Sequence, residues 1–174
     1  MILLAALCIV VVATAIVVTR GTTDDGPALV SEADGSTSAT LGSVDAKEYR
    51  SAYFGSVCVS GPGKVTIRSI APIDPQGGLK VTDFSVVTRR DDAALLGASN
   101  GRLRDEPSFQ GGHTVTTTCP GEPYAELFVE VYKPGLADTG AHEFTITYDS
   151  DGDTRSTKLR FGFGLCTSNT CDVA

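Results

Sequence analysis

The stretch 143–163, EFTITYDSDGDTRSTKLRFGF, predicts two β-strands joined by a tight turn. Its first half alternates apolar and polar side chains from Phe144 onward, as expected of a strand with one buried face. An Asp-Gly pair follows at Asp151 and Gly152, and this pair favours the positive φ angles of hairpin turns. The sequence therefore predicts an antiparallel hairpin that turns at 150–153.

Further runs of the same kind extend upstream, separated by glycine and proline. The runs are 57–60, 64–70, 79–87, 114–118 and 124–132. No window has a convincing helical period, and 91–110 has no period at all, which predicts one long loop. With the hairpin, the pattern predicts an all-β fold, an antiparallel sandwich of about seven strands over 49–174.

The chain begins with an apolar segment. Residues 2–19 carry no charge, and as a helix they would span about 27 Å, enough for a hydrocarbon core. We therefore expect a transmembrane helix at 1–20 that serves as a signal anchor. The tripeptide Ala-Thr-Ala at 13–15 fits a signal-peptide cleavage site, so secretion after cleavage is the alternative. Residues 21–48 are rich in small and polar side chains and predict a flexible stalk.

Five cysteines are present, and Cys8 lies inside the apolar segment. An even set of four in an exported domain predicts two disulfides. Two connectivities are considered: Cys58 with Cys119 and Cys166 with Cys171, or Cys119 with Cys166 and Cys58 with Cys171. Because disulfides persist in oxidising compartments, we expect the domain to lie outside the cytoplasm, on a single-pass membrane protein.

The charge balance argues against one class of partner. The chain has 14 basic and 21 acidic residues, a net charge of −7. Nucleic acid binding needs clustered Lys and Arg to neutralise phosphates, so we expect no nucleic acid partner. The two histidines, His113 and His142, are expected to be ordinary polar residues at strand ends.

Two short motifs match hydrolase signatures. Residues 97–101, GASNG, match the nucleophile elbow, in which Ser99 would stand between a strand and a helix. Residues 138–141, DTGA, resemble the loop of retroviral-type aspartic proteases, in which Asp138 would share a proton with a second carboxylate. The surrounding sequence predicts a glycine-rich loop and a turn instead. A non-enzymatic domain is expected, with a small hydrolase as the alternative.

The hairpin turn places Asp149, Asp151 and Asp153 at alternate positions, like the start of a calcium loop. Thr154 stands where the turn glycine of such a loop belongs, and Arg160 stands where its bidentate glutamate belongs. A weak calcium site is therefore one interpretation and a solvated turn the other. We expect no other cofactor.

The sequence resembles membrane-anchored or secreted β-sandwich proteins of unknown function that are common in actinobacteria. The resemblance lies in Cys58, in 61–67 (GPGKVTI), in 81–84 (VTDF) and in the closing Leu165-Cys166, and it is one of pattern. It implies an immunoglobulin-like topology and supplies no catalytic residue.

The function expected from these observations is a non-enzymatic interaction or structural module at the cell surface. Loops carry function on rigid β-scaffolds, so the loops 91–110 and 134–140 are expected to form the contact surface. The expected partners are the membrane, through the N-terminal helix, and a protein of the cell surface or envelope.

Overall fold

The computed structural model describes residues 26–31, 34–89, 97–121 and 123–172. The predicted transmembrane helix at 1–20 lies outside these residues. In the described part of the chain, no helix is long and apolar enough to cross a membrane.

The described residues form eleven strands and two 3₁₀ turns. The strands are β1 Leu29–Ser31, β2 Asp34–Leu41, β3 Tyr49–Val59, β4 Val65–Ile73, β5 Lys80–Arg89, β6 Ala98–Asn100, β7 Thr114–Val115, β8 Tyr124–Tyr132, β9 Thr139–Ala141, β10 Glu143–Ser150 and β11 Asp153–Leu165. The 3₁₀ turns are Leu103–Asp105 and Pro107–Phe109.

The strands form two sheets. The first has the order β1-β3-β8-β5, with β6 also paired to β3, and the second has the order β2-β11-β10-β4-β7, with β9 also paired to β11. Among the paired strands of the described residues, only β2 with β11 is parallel. The predicted all-β sandwich is confirmed, but the β2–β11 pair is parallel and not antiparallel as expected. The strands beyond the seven expected are β1, β6 and β9, of three residues each, and β2.

The predicted hairpin is present as β10 and β11. Pairing runs from Phe144 opposite Leu159 to Ser150 opposite Asp153, so the turn is shorter than the range 150–153. Asp151 and Gly152 occupy it with φ angles of 48° and 93°. These positive φ angles are the reason that an Asp-Gly pair is suited to the turn.

The core lies between the two sheets and has phenylalanine rings at its centre. The ring of Phe54 in β3 lies 5.1 Å from that of Phe144, and 5.0 Å from those of Phe161 and Phe163, centroid to centroid. Because Phe54 comes from the first sheet and the other three from the second, these contacts join the two layers. Buried aromatic rings bring large apolar areas to such a core.

The structure differs from the expected stalk. Of 21–48, residues 26–31 and 34–48 are described, and they contain β1 and β2, which pair with β3 and β11. Leu29 and Val44 are buried in this stretch. Composition pointed to a stalk because β2 is rich in Ser and Thr, whereas an edge strand is held mainly by backbone hydrogen bonds that composition does not register.

The expected long loop at 91–110 is also partly structured. Residues 90–96 lie outside the described part of the chain, while 97–110 form β6 and the two 3₁₀ turns. This segment lies on the first sheet, where Phe109 stacks on Phe128 with centroids 4.3 Å apart. Leu103 and Phe109 form a second apolar cluster with Phe128.

Candidate functional site

The four cysteines form two disulfides. Cys58, near the end of β3, bonds to Cys119, with the two Cα atoms 5.3 Å apart. Cys166 bonds to Cys171 and closes a short loop after β11, with the Cα atoms 5.4 Å apart. The first of the two predicted connectivities is therefore the one present.

The three aspartates of the proposed calcium loop are not gathered around one point. Asp149 pairs with Arg68 of β4 and accepts a hydrogen bond from the Thr154 hydroxyl at 2.9 Å. In the hairpin register Asp149 stands opposite Thr154, whereas Asp153 stands opposite Ser150, so these two aspartates point to opposite faces. Among the described residues, no group of three or more His, Cys, Asp or Glu side chains could hold a metal ion.

Ser99 lies in the middle of β6 rather than at a turn between a strand and a helix. Its hydroxyl donates to the carboxylate of Glu106 at 3.3 Å. The pKa of Glu106 is lowered, chiefly by the hydrogen bond from the Ser108 hydroxyl and also by Ser99. A carboxylate with a lowered pKa is a weak general base. His142 lies between β9 and β10 of the second sheet, whereas Ser99 lies in β6 of the first, where its hydroxyl bonds to Glu106.

Asp138 is held by the loop after β11. Its carboxylate accepts the backbone N–H of Thr167 at 2.6 Å, and this hydrogen bond is the main reason that its pKa is lowered. In an aspartic-protease pair the shared proton raises the pKa of one carboxyl group, so the environment of Asp138 acts in the opposite direction. The ring of His113 packs on that of Phe84, 4.5 Å away, and is not near Asp138 in the strand order.

A surface of tyrosine and arginine side chains lies at the end of the sandwich where β3 begins and β8 ends. We call it the Tyr–Arg surface and define it as Tyr49, Arg50, Arg102, Arg104 and Tyr132. The rings of Tyr49 and Tyr132 lie 4.8 Å apart, on adjacent strands in register. The guanidinium of Arg102 lies 3.9 Å from the centre of the Tyr49 ring, a cation–π contact.

Arg50 is held in place within this surface. Its guanidinium donates to the carboxylate of Glu48 at 2.7 Å and to the carbonyl of Tyr49 at 2.9 Å. The pKa of Glu48 is lowered, first by the backbone N–H of Asp45 and next by Arg50. Arg104 is exposed and its guanidinium lies 3.9 Å from the carboxylate of Asp105. An open hollow of about 460 Å³ is lined by Tyr49 and the three arginines together with Glu48 and Asp105.

The segment that carries Arg102 and Arg104 is fixed to the first sheet by polar contacts. Glu130, buried in β8, accepts the backbone N–H of Leu103 at 2.7 Å and the Thr82 hydroxyl at 2.7 Å. The Ser85 hydroxyl donates to the carbonyl of Phe109. The backbone of the segment that carries the two arginines is therefore attached to the first sheet at Leu103 and Phe109.

The sequence pattern predicted a contact loop at 91–110, which contains Arg102 and Arg104, but did not indicate that Tyr49 and Tyr132 belong to the same site. Tyr49 lies outside the runs from which the strands were predicted, and Tyr132 is the last residue of the run 124–132. The sequence pattern therefore did not indicate that the two side chains are neighbours. Comparisons with protein-family models, with curated proteins and with solved structures gave no match for this chain.

Proposed function

We propose that this protein is a non-enzymatic interaction module, exported as an immunoglobulin-like β-sandwich and anchored to the cell membrane by residues 1–20. Its partner is a protein of the cell surface or envelope, bound at the Tyr–Arg surface. Release by cleavage after the apolar segment is the alternative form of the same module.

The order of the strands supports the immunoglobulin-like topology. Constant-type immunoglobulin domains have strands ABED in one sheet and CFG in the other. Numbering β1, β3, β4, β5, β8, β10 and β11 as A to G gives the order ABED for the first sheet and GFC within the second. The disulfide pattern departs from those domains, because Cys58 of strand B bonds to Cys119 before strand E rather than to strand F.

The two disulfides support export. Such bonds persist in oxidising compartments and are rare in the cytosol. Cys166–Cys171 closes a loop with a sequence separation of 5, and Cys58–Cys119 one with a separation of 61. Four cysteines paired in this way are typical of a domain that folds outside the cytoplasm.

The observation that carries the interaction role is the stacking of Arg102 on Tyr49 beside Tyr132. Tyrosine and arginine are enriched among the residues that contribute most to binding energy at protein interfaces. Here they share one end of the sandwich, and the segment that carries Arg102 is held by the hydrogen bond from Leu103 N–H to Glu130. A pre-ordered surface loses less side-chain freedom on binding than a mobile one.

The test is photo-crosslinking of the full chain in its native membrane, followed by affinity capture. A crosslinker at Asn100, which borders the hollow, is expected to give a discrete adduct with one envelope protein. The adduct is expected to disappear in Arg102→Ala and to persist in Arg160→Ala, an exposed arginine on the other sheet. An adduct that both variants retain would refute the Tyr–Arg surface as the contact.

The hydrolase alternative has its own measurement. If Ser99 were a nucleophile, a fluorophosphonate probe would label it and the label would be lost in Ser99→Ala. The interaction proposal expects no labelling of Ser99, because the hydroxyl is hydrogen-bonded to Glu106 in the middle of a strand.

A further inference from the structure

A second hollow opens between the two sheets on the side where β2 and β6 form the edges. It has a volume of about 430 Å³ and is lined by residues of β2, β3, β6 and β11. Phe54, Phe161 and Phe163 form its floor, and Ala39, Leu41 and Ala98 are among its walls. We call this hollow the apolar cleft. It is separate from the Tyr–Arg surface, with which it shares no residue.

The cleft lies where one edge of β3 pairs with two short strands instead of one continuous strand. β6 pairs with residues 50–52 of β3, and β1 pairs with 57–59. Between them the N–H of Tyr53 still bonds to the carbonyl of Gly97 at 3.0 Å. Gly55 follows at a bulge with a φ angle of 121°, which only glycine adopts readily. The described residues thus leave 54–56 of β3 without a strand partner on this edge, beside Phe161 and Phe163.

The described residues that line the cleft are uncharged and mostly apolar. Among the described residues, thirteen line the cleft and none of these is charged. The lining residues Tyr53 and Ser56 hydrogen-bond each other through their hydroxyl groups at 3.1 Å, and Thr37 adds a further hydroxyl group. A concave site of a few hundred cubic ångströms, apolar with a few polar groups, is typical of small-molecule binding. A charged group would lose its hydration there without a partner of opposite charge.

The shape of the cleft further restricts the ligand. Its walls run along 37–41 of β2 and 52–56 of β3, and each stretch extends about 13 Å in the strand direction. These two walls are therefore long enough to line an extended chain. We propose that the apolar cleft binds the uncharged aliphatic chain of an amphiphile in an extended conformation, with the polar end of the amphiphile at the solvent-exposed mouth.

The experiment is photoaffinity labelling of the full chain in lipid nanodiscs with a dodecanol derivative that carries a diazirine and an alkyne. After reduction and trypsin digestion, saturable labelling is expected in peptides 51–64 and 161–174, and excess dodecanol is expected to remove it. If the natural ligand is the acyl chain of a lipid, excess lysophosphatidylcholine is expected to reduce the labelling as well. If the natural ligand is a free alcohol, lysophosphatidylcholine is expected to leave the labelling unchanged. Both results support an aliphatic ligand.

Two variants fill the cleft from opposite walls, Ala98→Trp on β6 and Thr37→Trp on β2, both at exposed positions; Thr37 lies on the same side of β2 as Ala39 and Leu41. Each is expected to abolish the labelling of 51–64, while Ser156→Trp, exposed on β11 outside the cleft, is expected to keep it. If one variant fails to fold, the other still gives the result. Labelling that is not saturable, that persists in the folded filled variants, or that only the compact alcohol 1-adamantanol displaces would overturn the proposal.

Discussion

The carboxyl group of Glu130, buried in β8, accepts the backbone N–H of Leu103 at 2.7 Å. This contact joins the first sheet to a segment 27 residues earlier in the chain. Buried polar groups in folded proteins are nearly always hydrogen-bonded. Here the Glu130 carboxylate is the acceptor for the N–H of Leu103. The Tyr–Arg surface depends on this join, because Arg102 precedes Leu103.

Glu130→Ala is expected to lower the free energy of unfolding by about 1–3 kcal/mol, because the N–H of Leu103 stays buried without an acceptor. Glu130→Gln keeps an acceptor oxygen and is expected to lose less. Urea unfolding of both variants measures the difference. Glu143→Ala, which removes only surface ion pairs with Lys158 and Arg160, is the control and is expected to stay within about 0.5 kcal/mol.

Lys133 makes a second set of hydrogen bonds between segments that are far apart in the chain. It is fully buried, and its ammonium donates to the carbonyl of Val44 and to the Thr167 hydroxyl, both at 2.7 Å. Lys133→Met is expected to lower the free energy of unfolding by about 1–3 kcal/mol, since both acceptors lose their donor. Lys158→Met, at an exposed lysine, is the control. Equal effects of the two variants would contradict a structural role for Lys133.

The two disulfides are expected to stabilise the protein unequally. Cross-linking restricts the unfolded chain more when the closed loop is longer, and the sequence separations are 61 for Cys58–Cys119 and 5 for Cys166–Cys171. The chain-entropy relation gives about 4 kcal/mol for the first and about 2 kcal/mol for the second. Unfolding of the two double-alanine variants tests the order, and peptide mapping without reduction tests the connectivity.

The ion pair of Arg68 with Asp149 predicts a pH effect. The hydrogen bond from Arg68 is the main cause of the lowered pKa of Asp149, and Thr154 contributes next. A lowered folded-state pKa means that this stabilisation is fully present above the ordinary value of 3.8 and is lost as the pH falls through the folded-state pKa. In an NMR titration of the carboxyl carbon, Arg68→Gln is expected to raise the pKa of Asp149, whereas Lys158→Gln is expected to leave it unchanged.

Calcium is expected to leave the melting temperature unchanged at millimolar concentration. A bound ion would raise it by mass action, but Asp149 is engaged by Arg68 and Thr154, and Asp153 points to the other face of the hairpin. Thermal unfolding with and without calcium measures this. A rise that Asp149→Asn and Asp151→Asn abolish would restore the calcium interpretation.

Much of the fold follows from local pattern. The hairpin of β10 and β11 was predictable because its alternation and its Asp-Gly turn lie within 21 consecutive residues. The even set of cysteines likewise predicted two bonds but left two connectivities open. Where the pattern is weak, prediction failed: β2 has Ser and Thr where a buried strand would have apolar residues, so its pairing with β11 had no local sign.

The sequence by itself determined an all-β chain with this hairpin, because alternation at period two reports which face of a strand is buried. Only the tertiary structure decided which distant segments meet: β2 with β11, Cys58 with Cys119, Arg102 with Tyr49, and Glu130 with Leu103. These contacts depend on register and packing between segments far apart in the chain, which local periodicity does not encode. The hairpin turn at 150–153 could thus be predicted from neighbouring residues. Both proposed binding sites could not, because they are formed by segments that are far apart in the chain.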